Sequence, residues 1–323
     1  MKKISQILCV IDGMTDPYFD VQNYPALASF PNRGFIKTVP DGFTPETLPC
    51  VLSLLGADPP KHIRGWVEAL GMGVDVGAND LIFRGSWAAL DENGICAGFR
   101  DAPEDVQNLL ASPPGNTLAS RYVPIDRYKC LLILPGCAAY LHTFQTETPF
   151  DMFGKHFSRL TYPDIPLLKE TLSRLNISAR QSKRVLIPWA ASVAPSGFRF
   201  APLKRSAAVC GANVVKGIAR ALGMALATTG KCTGDVNTDL RAKIKSVLAL
   251  AEEFDFVLLH IGGCDEVAHR RDKPGKESFM KEIDRAVLPE LLRSCHKVRV
   301  TADHGCDPFT GKHTGGLQPV YFT

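Results

Sequence analysis

Residues 255–266, "DFVLLHIGGCDE", decide the fold. The run "FVLLHI" is apolar without alternation, which suits a strand covered by helices on both faces. Two glycines follow at once, and then an acidic residue, Asp265. Just upstream, "TDLRAKIKSVLALAEEF" carries apolar residues at helical spacing behind a Thr/Asp cap. Three more runs have strand length and end in polar loops: "QILCVIDG", "RVLIPWAAS" and "KVRVTADHG". Helical patterns lie among them, in "NVVKGIARALGMAL" and "KESFMKEIDRAVLPELLRS". Strand–helix alternation of this kind predicts an α/β fold built on a doubly wound, mostly parallel sheet.

The region 91–183 reads differently, broken by turn signals such as "SPPGN", "ETPFD" and "YPDIP". It is expected to be a smaller cap domain inserted into a core formed by residues 1–90 and 184–323. A chain of 323 residues, 45% hydrophobic and 22% charged, accommodates that arrangement. The net charge of +4 is too small to imply a nucleic-acid or membrane partner. No apolar run approaches the ~20 residues that span a bilayer, and "MKKISQILCVIDG" lacks a cleavage signal and reads as a first strand. The ten cysteines form no CxxC pair and no regular framework, so they are read as reduced thiols in the cytoplasm.

Open α/β sheets bind ligands beyond the carboxyl ends of their strands. Asp12 follows "ILCVI", Asp265 follows "LLHIGGC", and Asp303 follows "VRVTA". Four residues separate Asp265 from His269, which puts both on one face of a helical turn. His304 adjoins Asp303, and His313 closes the glycine-rich loop after it. Any one of these is an ordinary turn or cap residue. Three strand ends together bring three carboxylates and three imidazoles to one edge. Such a mixed set suits manganese or zinc better than magnesium, and six donors are enough for two ions. Two metals clamp the attacking and leaving oxygens of an in-line displacement. No organic cofactor is expected.

"VIDGM", "HIGGCDEVAH", "TADHG" and "KHTGG" resemble the archaeal-type cofactor-independent phosphoglycerate mutases of the alkaline phosphatase superfamily. "RGWVEALGMGV", "NDLIFRGSWAALDENG", "TPFDMFGK" and "TGDVNTD" extend the resemblance along most of the chain. The resemblance implies one metal on Asp265, His269 and His313. It implies a second on Asp12, Asp303, His304 and the nucleophile. The position of the family's nucleophilic serine falls on Thr47 in "TPETLPCVLSLLG", with Ser53 as the rival hydroxyl. Arg64, Arg84, Arg100, Arg127 and Lys216 fall at or near basic positions that would hold substrate. The sequence departs from the family at Glu46, Leu48 and Val51, around the nucleophile. It departs again at Tyr128 and Phe150, where histidines are usual, and at Pro135, where an arginine is usual. The metal half is intact and the substrate-reading half is altered. The chain stops at "PVYFT", where relatives continue, and a frayed edge strand is expected there.

The function implied is di-metal phosphoryl transfer on a small phosphorylated metabolite through a phosphothreonine, as in 2-phosphoglycerate/3-phosphoglycerate interconversion. A metal-dependent phosphatase, phosphodiesterase or phosphonate hydrolase is the alternative. A metal-binding relative without turnover is the third reading. Oligomeric state is not readable from these patterns.

Overall fold

The computed structural model describes residues 3–104, 120–143, 147–181, 183–195, 200–227 and 230–323. The "SPPGN" turn signal lies outside them. Among the described residues, fourteen strands run in chain order as β1 (Gln6–Ile11), β2 (Asn32–Lys37), β3 (Leu81–Leu90), β4 (Cys96–Phe99), β5 (Arg121–Asp126), β6 (Lys129–Leu134) and β7 (Arg184–Ser192), then β8 (Ser206–Val209), β9 (Ala225–Ala227), β10 (Phe256–Ile261), β11 (Lys297–Thr301), β12 (Gly305–Cys306), β13 (His313–Thr314) and β14 (Leu317–Phe322). The chain divides into two compact units, one of residues 1–59, 70–72 and 199–323, the other of residues 60–69 and 73–198.

In the first unit a seven-stranded sheet runs β2-β14-β11-β1-β10-β8-β9. The five strands from β11 to β9 are parallel; β14 pairs antiparallel with β11, and β2 pairs antiparallel with β14. The apolar run 256–261 is β10, near the centre, as its unbroken hydrophobicity predicts. Ile7, Val257, Leu259 and Val300 are buried with Ile244, Val247, Phe279 and Ile283 from the covering helices. The helix Leu240–Glu253 starts where predicted, with Asp239 accepting a hydrogen bond from the Ala242 amide. Two sequence patterns end earlier than expected. "NVVKGIARALGMAL" is helical only over Asn213–Ala221, because Gly223 at φ +66° turns the chain into β9. "KESFMKEIDRAVLPELLRS" splits into Lys273–Ala286 and Leu288–Arg293, with Pro289 in the first turn of the second helix. β14 is not an edge strand: it is paired with β11 on one side and β2 on the other.

The second unit is built on a five-stranded sheet, β4-β3-β6-β5, with β7 on the other side of β3. All its pairings are antiparallel. "RVLIPWAAS", expected in the parallel sheet, is β7 and pairs with β3 instead. The expected boundaries at residues 90 and 184 therefore fall at the ends of two strands of this sheet. Unbroken hydrophobicity reports two covered faces and not strand direction. Here Leu186 is buried with Phe83, Trp87, Leu168, Leu172 and Leu175, the last three from the Pro166–Gln181 helix.

Candidate metal centre

The carboxyl ends of β1, β10 and β11 lie side by side, since β1 pairs with both of the others. Asp12 leaves β1 with its amide donating to Ile261 O at 3.0 Å, which holds the two strand ends together. Gly13 follows at φ +64°, where a Cβ would stand 2.9 Å from Asp265 Cα and Cβ. Only glycine lets the β1 loop approach the Gly263–His269 helix so closely. That helix carries Asp265 and His269 one turn apart, as their spacing predicts. The loop after β11 brings Asp303 and His304 directly, and β12 and β13 fold back as a short ladder that returns His313.

The six residues form two adjacent clusters, and the structure adds a seventh. Asp265, His269, His313 and Cys306 have donor atoms within 4.8 Å of one another, as do Asp12, Asp303 and His304. In the first cluster His269 Nε2 lies 3.1 Å from Asp265 Oδ2. His313 Nε2 lies 3.2 Å from Asp265 Oδ1 and 3.0 Å from His269 Nε2. In the second, His304 Nε2 lies 3.5 Å from both Asp12 Oδ1 and Asp303 Oδ2. The His304 and His313 rings have centroids 4.1 Å apart, so the clusters adjoin.

Burial makes this arrangement costly without a cation. Asp303 and His304 are fully buried, Asp12 is 5% exposed and Asp265 8%. Asp12 Oδ1, Asp265 Oδ1 and Asp303 Oδ2 receive no hydrogen bond. Burial and the neighbouring Asp303 and Asp265 push the Asp12 carboxyl well above the usual range. Burial would raise Asp265 too, but the His269 and His313 imidazoles offset it and hold that carboxyl low. His304 is pushed down by burial, against the pull of Asp303. His313 rises, because Asp265 more than offsets its burial.

Hydrogen bonding fixes which nitrogens face the site. His269 Nδ1 contacts Gly311 O at 2.8 Å, and His304 Nδ1 contacts Gly305 O at 3.2 Å. A carbonyl can only accept, so each Nδ1 carries the proton and each Nε2 presents a lone pair inward. Orphaned carboxylate oxygens and converging imidazole lone pairs are what divalent metals require, and the residues fit them.

Thr47 stands at the start of the Thr47–Leu54 helix and is 8% exposed. Its Oγ1 is 3.4 Å from Asp12 Oδ2 and 3.5 Å from His304 Nε2. Ser53 lies six residues further along that helix, about 9 Å along its axis. Thr47 is therefore the hydroxyl at the Asp12–Asp303–His304 cluster.

Three supporting residues carry no sequence pattern that would single them out. Cys306 is fully buried in β12, one strand across from His313. His260 is fully buried, with Nε2 3.5 Å from Asp12 Oδ2, and burial lowers it to about 4, so it stays neutral. Lys276 is buried and donates to Asp16 Oδ2 and Cys306 O, each at 2.7 Å, and to Thr15 O at 3.2 Å. It ties the loops after β1 and β11 to the helix beneath them.

Of the five basic residues singled out in the sequence, four lie in the second unit and Lys216 lies in the first. Arg84 is 6% exposed and paired with Glu68, itself 2% exposed; Arg64 reaches the same carboxylate at 3.4 Å. The Arg64 guanidinium also lies over the Trp189 ring at 5.0 Å. Arg100 is exposed, and Arg127, exposed as well, pairs with Asp101 at 3.0 Å. Lys216, in the first unit, has Nζ 3.5 Å from Asn213 Oδ1. In the second unit, Tyr128 and Phe150, the positions where histidines are usual, both pack on Phe99, with centroids 4.3 and 5.5 Å away.

Comparison with known proteins shows what the chain is similar to. A model of 2,3-bisphosphoglycerate-independent phosphoglycerate mutase matches residues 28–187, and a metalloenzyme superfamily model matches residues 204–323. A 2,3-bisphosphoglycerate-independent phosphoglycerate mutase from Thermococcus gammatolerans is 27% identical, over 99% of this chain and 88% of its own. One from Archaeoglobus fulgidus is 24% identical, over 97% and 87%. Among solved structures, a Pyrococcus horikoshii protein superposes with a TM-score of 0.73 at 22% identity, over all of this chain and 88% of its own. A cofactor-independent phosphoglycerate mutase from Thermoplasma acidophilum gives 0.54 at 22%, over 100% and 90%. The fold is thus shared with both solved proteins, and the superfamily carries divalent-metal binding. Over nearly its whole length the chain is thus similar to 2,3-bisphosphoglycerate-independent phosphoglycerate mutases, and over residues 204–323 to the metalloenzyme superfamily.

Proposed function

We propose that the protein interconverts 2-phosphoglycerate and 3-phosphoglycerate by di-metal phosphoryl transfer through Thr47. The observation that carries this is the position of Thr47 Oγ1, 3.4 Å from Asp12 and 3.5 Å from His304, beside paired carboxylate–imidazole clusters. Relatives that align with nearly the whole chain bear the mutase name. One cluster, Asp265, His269 and His313, is assigned to one ion. The other, Asp12, Asp303 and His304 with Thr47, is assigned to the second. The nitrogen donors favour manganese or zinc over magnesium.

Bound cations would supply charge neutralisation at the phosphoryl oxygens and a lowered hydroxyl pKa. The protein supplies the rest. Thr47 Oγ1 gives up its proton, for which Asp12 Oδ2 is the nearest acceptor, and attacks phosphorus. The bond from phosphorus to the substrate oxygen breaks, and that oxygen takes a proton. The other hydroxyl of the retained glycerate then loses its proton and attacks the phosphothreonine, and the bond from phosphorus to Thr47 Oγ1 breaks as that oxygen takes a proton back. The Thr47–Leu54 helix points its positive end at this position, which favours the phosphoryl charge. The neutral His260 imidazole stands beside Asp12 and adds no competing positive charge.

Substrate recognition is assigned to the second unit, with the exposed Arg100 and Arg127 as its candidate cations. The aromatic cluster of Tyr128 and Phe150 on Phe99 favours a second reading, hydrolysis of a phosphate ester or phosphonate, because it offers few groups to shuttle protons. The compartment proposed is the cytoplasm, where cysteine thiols remain reduced. Among the described residues no helix is long and apolar enough to cross a membrane.

The test is an acid quench of metal-loaded protein with 3-phosphoglycerate, followed by peptide mass spectrometry. Phosphate on Thr47 is expected in the wild type and absent in Thr47→Ala. Full turnover by Thr47→Ala would overturn the assignment.

A further inference from the structure

The Asp265–His269–His313 cluster forms three corners of a coordination polyhedron. Its donor atoms are spaced 3.0, 3.1 and 3.2 Å apart. Ligand bonds of about 2.0–2.1 Å place the donors of a tetrahedral cation roughly 3.4 Å apart, so these three approximate one face of such a site. A tetrahedron has a fourth corner.

Cys306 is the fourth residue of the cluster. The β12–β13 ladder pairs Cys306 with His313 and Gly305 with Thr314. Directly paired residues of antiparallel strands present their side chains to the same face, with Cβ atoms about 4.5–5.5 Å apart. The Cys306 sulfur accordingly lies within 4.8 Å of the donors on Asp265, His269 and His313, and contacts Asp265. Its backbone is held on both sides: the amide donates to Thr15 O at 2.9 Å, and the carbonyl accepts from Lys276 Nζ at 2.7 Å. Asp265 Oδ1, in the same cluster, is buried and receives no hydrogen bond. A thiol on a pinned backbone, opposite one imidazole and beside an orphaned carboxylate, is placed to bind metal.

We propose that Cys306 Sγ is the fourth ligand of the Asp265–His269–His313 metal, giving this ion a sulfur, two nitrogens and an oxygen. On binding, the thiol proton is released to solvent and the sulfur–metal bond forms. Soft sulfur with imidazole selects zinc, or cobalt as its spectroscopic substitute, over manganese and magnesium. The two ions then differ in role. The Cys306 ion is closed by four protein ligands in the resting protein, whereas the Asp12–Asp303–His304 ion retains a position for Thr47 and substrate. This inference rests on the metal-site reading given above.

Cobalt(II) loaded into metal-stripped full-length protein tests it by absorption spectroscopy. Visible ligand-field bands report any bound cobalt; a near-ultraviolet sulfur-to-cobalt charge-transfer band reports the thiolate. Both are expected in the wild type. Cys306→Ser should lose the near-ultraviolet band, keep ligand-field bands, and bind zinc at least about tenfold more weakly. Visible bands without the charge-transfer band in the wild type would overturn the thiolate ligand and leave the metal site standing. So would a charge-transfer band that survives in Cys306→Ser. Failure of the wild type to bind cobalt would overturn both the site and its fourth ligand.

Discussion

Replacing Asp303 by Asn should change stability in opposite directions with and without metal. Asp303 and Asp12 are buried with donor atoms no more than 4.8 Å apart. Two full charges at that separation repel by about 3 kcal/mol at an effective dielectric of 20. Burial and its acidic neighbours already push the Asp12 carboxyl up toward neutrality, so part of this repulsion is relieved. Asn keeps the shape, and its carbonyl oxygen can accept the bonds that Asp303 Oδ1 takes from Gly13 N at 3.3 Å and His304 N at 2.9 Å. The metal-free variant should therefore be more stable than metal-free wild type by about 1–2 kcal/mol. With metal at a hundredfold excess over its dissociation constant, wild type gains about 2.7 kcal/mol from the site, which the variant forgoes. For a unit of this size each kcal/mol moves Tm by about 2–4 °C. Scanning calorimetry in chelator and in excess zinc or manganese reads both differences. A variant shifted in the same direction under both conditions would refute the reasoning.

Glu68→Gln should destabilise the second unit by about 3–5 kcal/mol, because it leaves the buried Arg84 and the neighbouring Arg64 without their carboxylate. Urea denaturation followed by Trp87 and Trp189 fluorescence checks this, and a loss below 1 kcal/mol would show that the pairs contribute little. Lys243 gives a pH signature. Burial holds its ammonium down to about 8, against 10.5 in the unfolded chain. Between those values the unfolded chain binds more protons, so wild-type stability should rise with pH across that window, relative to Lys243→Met. The gain is at most about 3 kcal/mol. A difference that stays flat or falls from pH 8 to 10.5 would contradict it.

The parallel sheet and the carboxylates and imidazoles gathered at its edge were legible for one reason: the same strands provide both. Near-continuous apolar runs marked β1 and β10, the alternating "KVRVTA" marked β11, and the acidic residues past their ends are Asp12, Asp265 and Asp303. Helical spacing was enough to join His269 to Asp265. Thr47 needed the family resemblance, since nothing in "TPETLPC" marks one hydroxyl as the one beside Asp12. Other features were hidden by ambiguity in the pattern itself. β7 reads like a parallel-sheet strand because burial on both faces is common to parallel strands and to covered antiparallel ones. Cys306 could not be matched to His313, because a two-residue ladder has no periodicity to read. Lys276 looks like any lysine on an amphipathic helix until the Thr15, Asp16 and Cys306 oxygens are seen around it. Arg64 and Arg84 read as free substrate cations, and their common partner Glu68 becomes visible only in three dimensions.

Phosphorus NMR of metal-loaded protein with 3-phosphoglycerate tests the central claim most directly. The account predicts growth of a 2-phosphoglycerate signal without free phosphate, abolished by metal removal and by Thr47→Ala and retained in Thr47→Ser. Accumulation of inorganic phosphate in place of the isomer, or isomerisation that persists in Thr47→Ala, would contradict it.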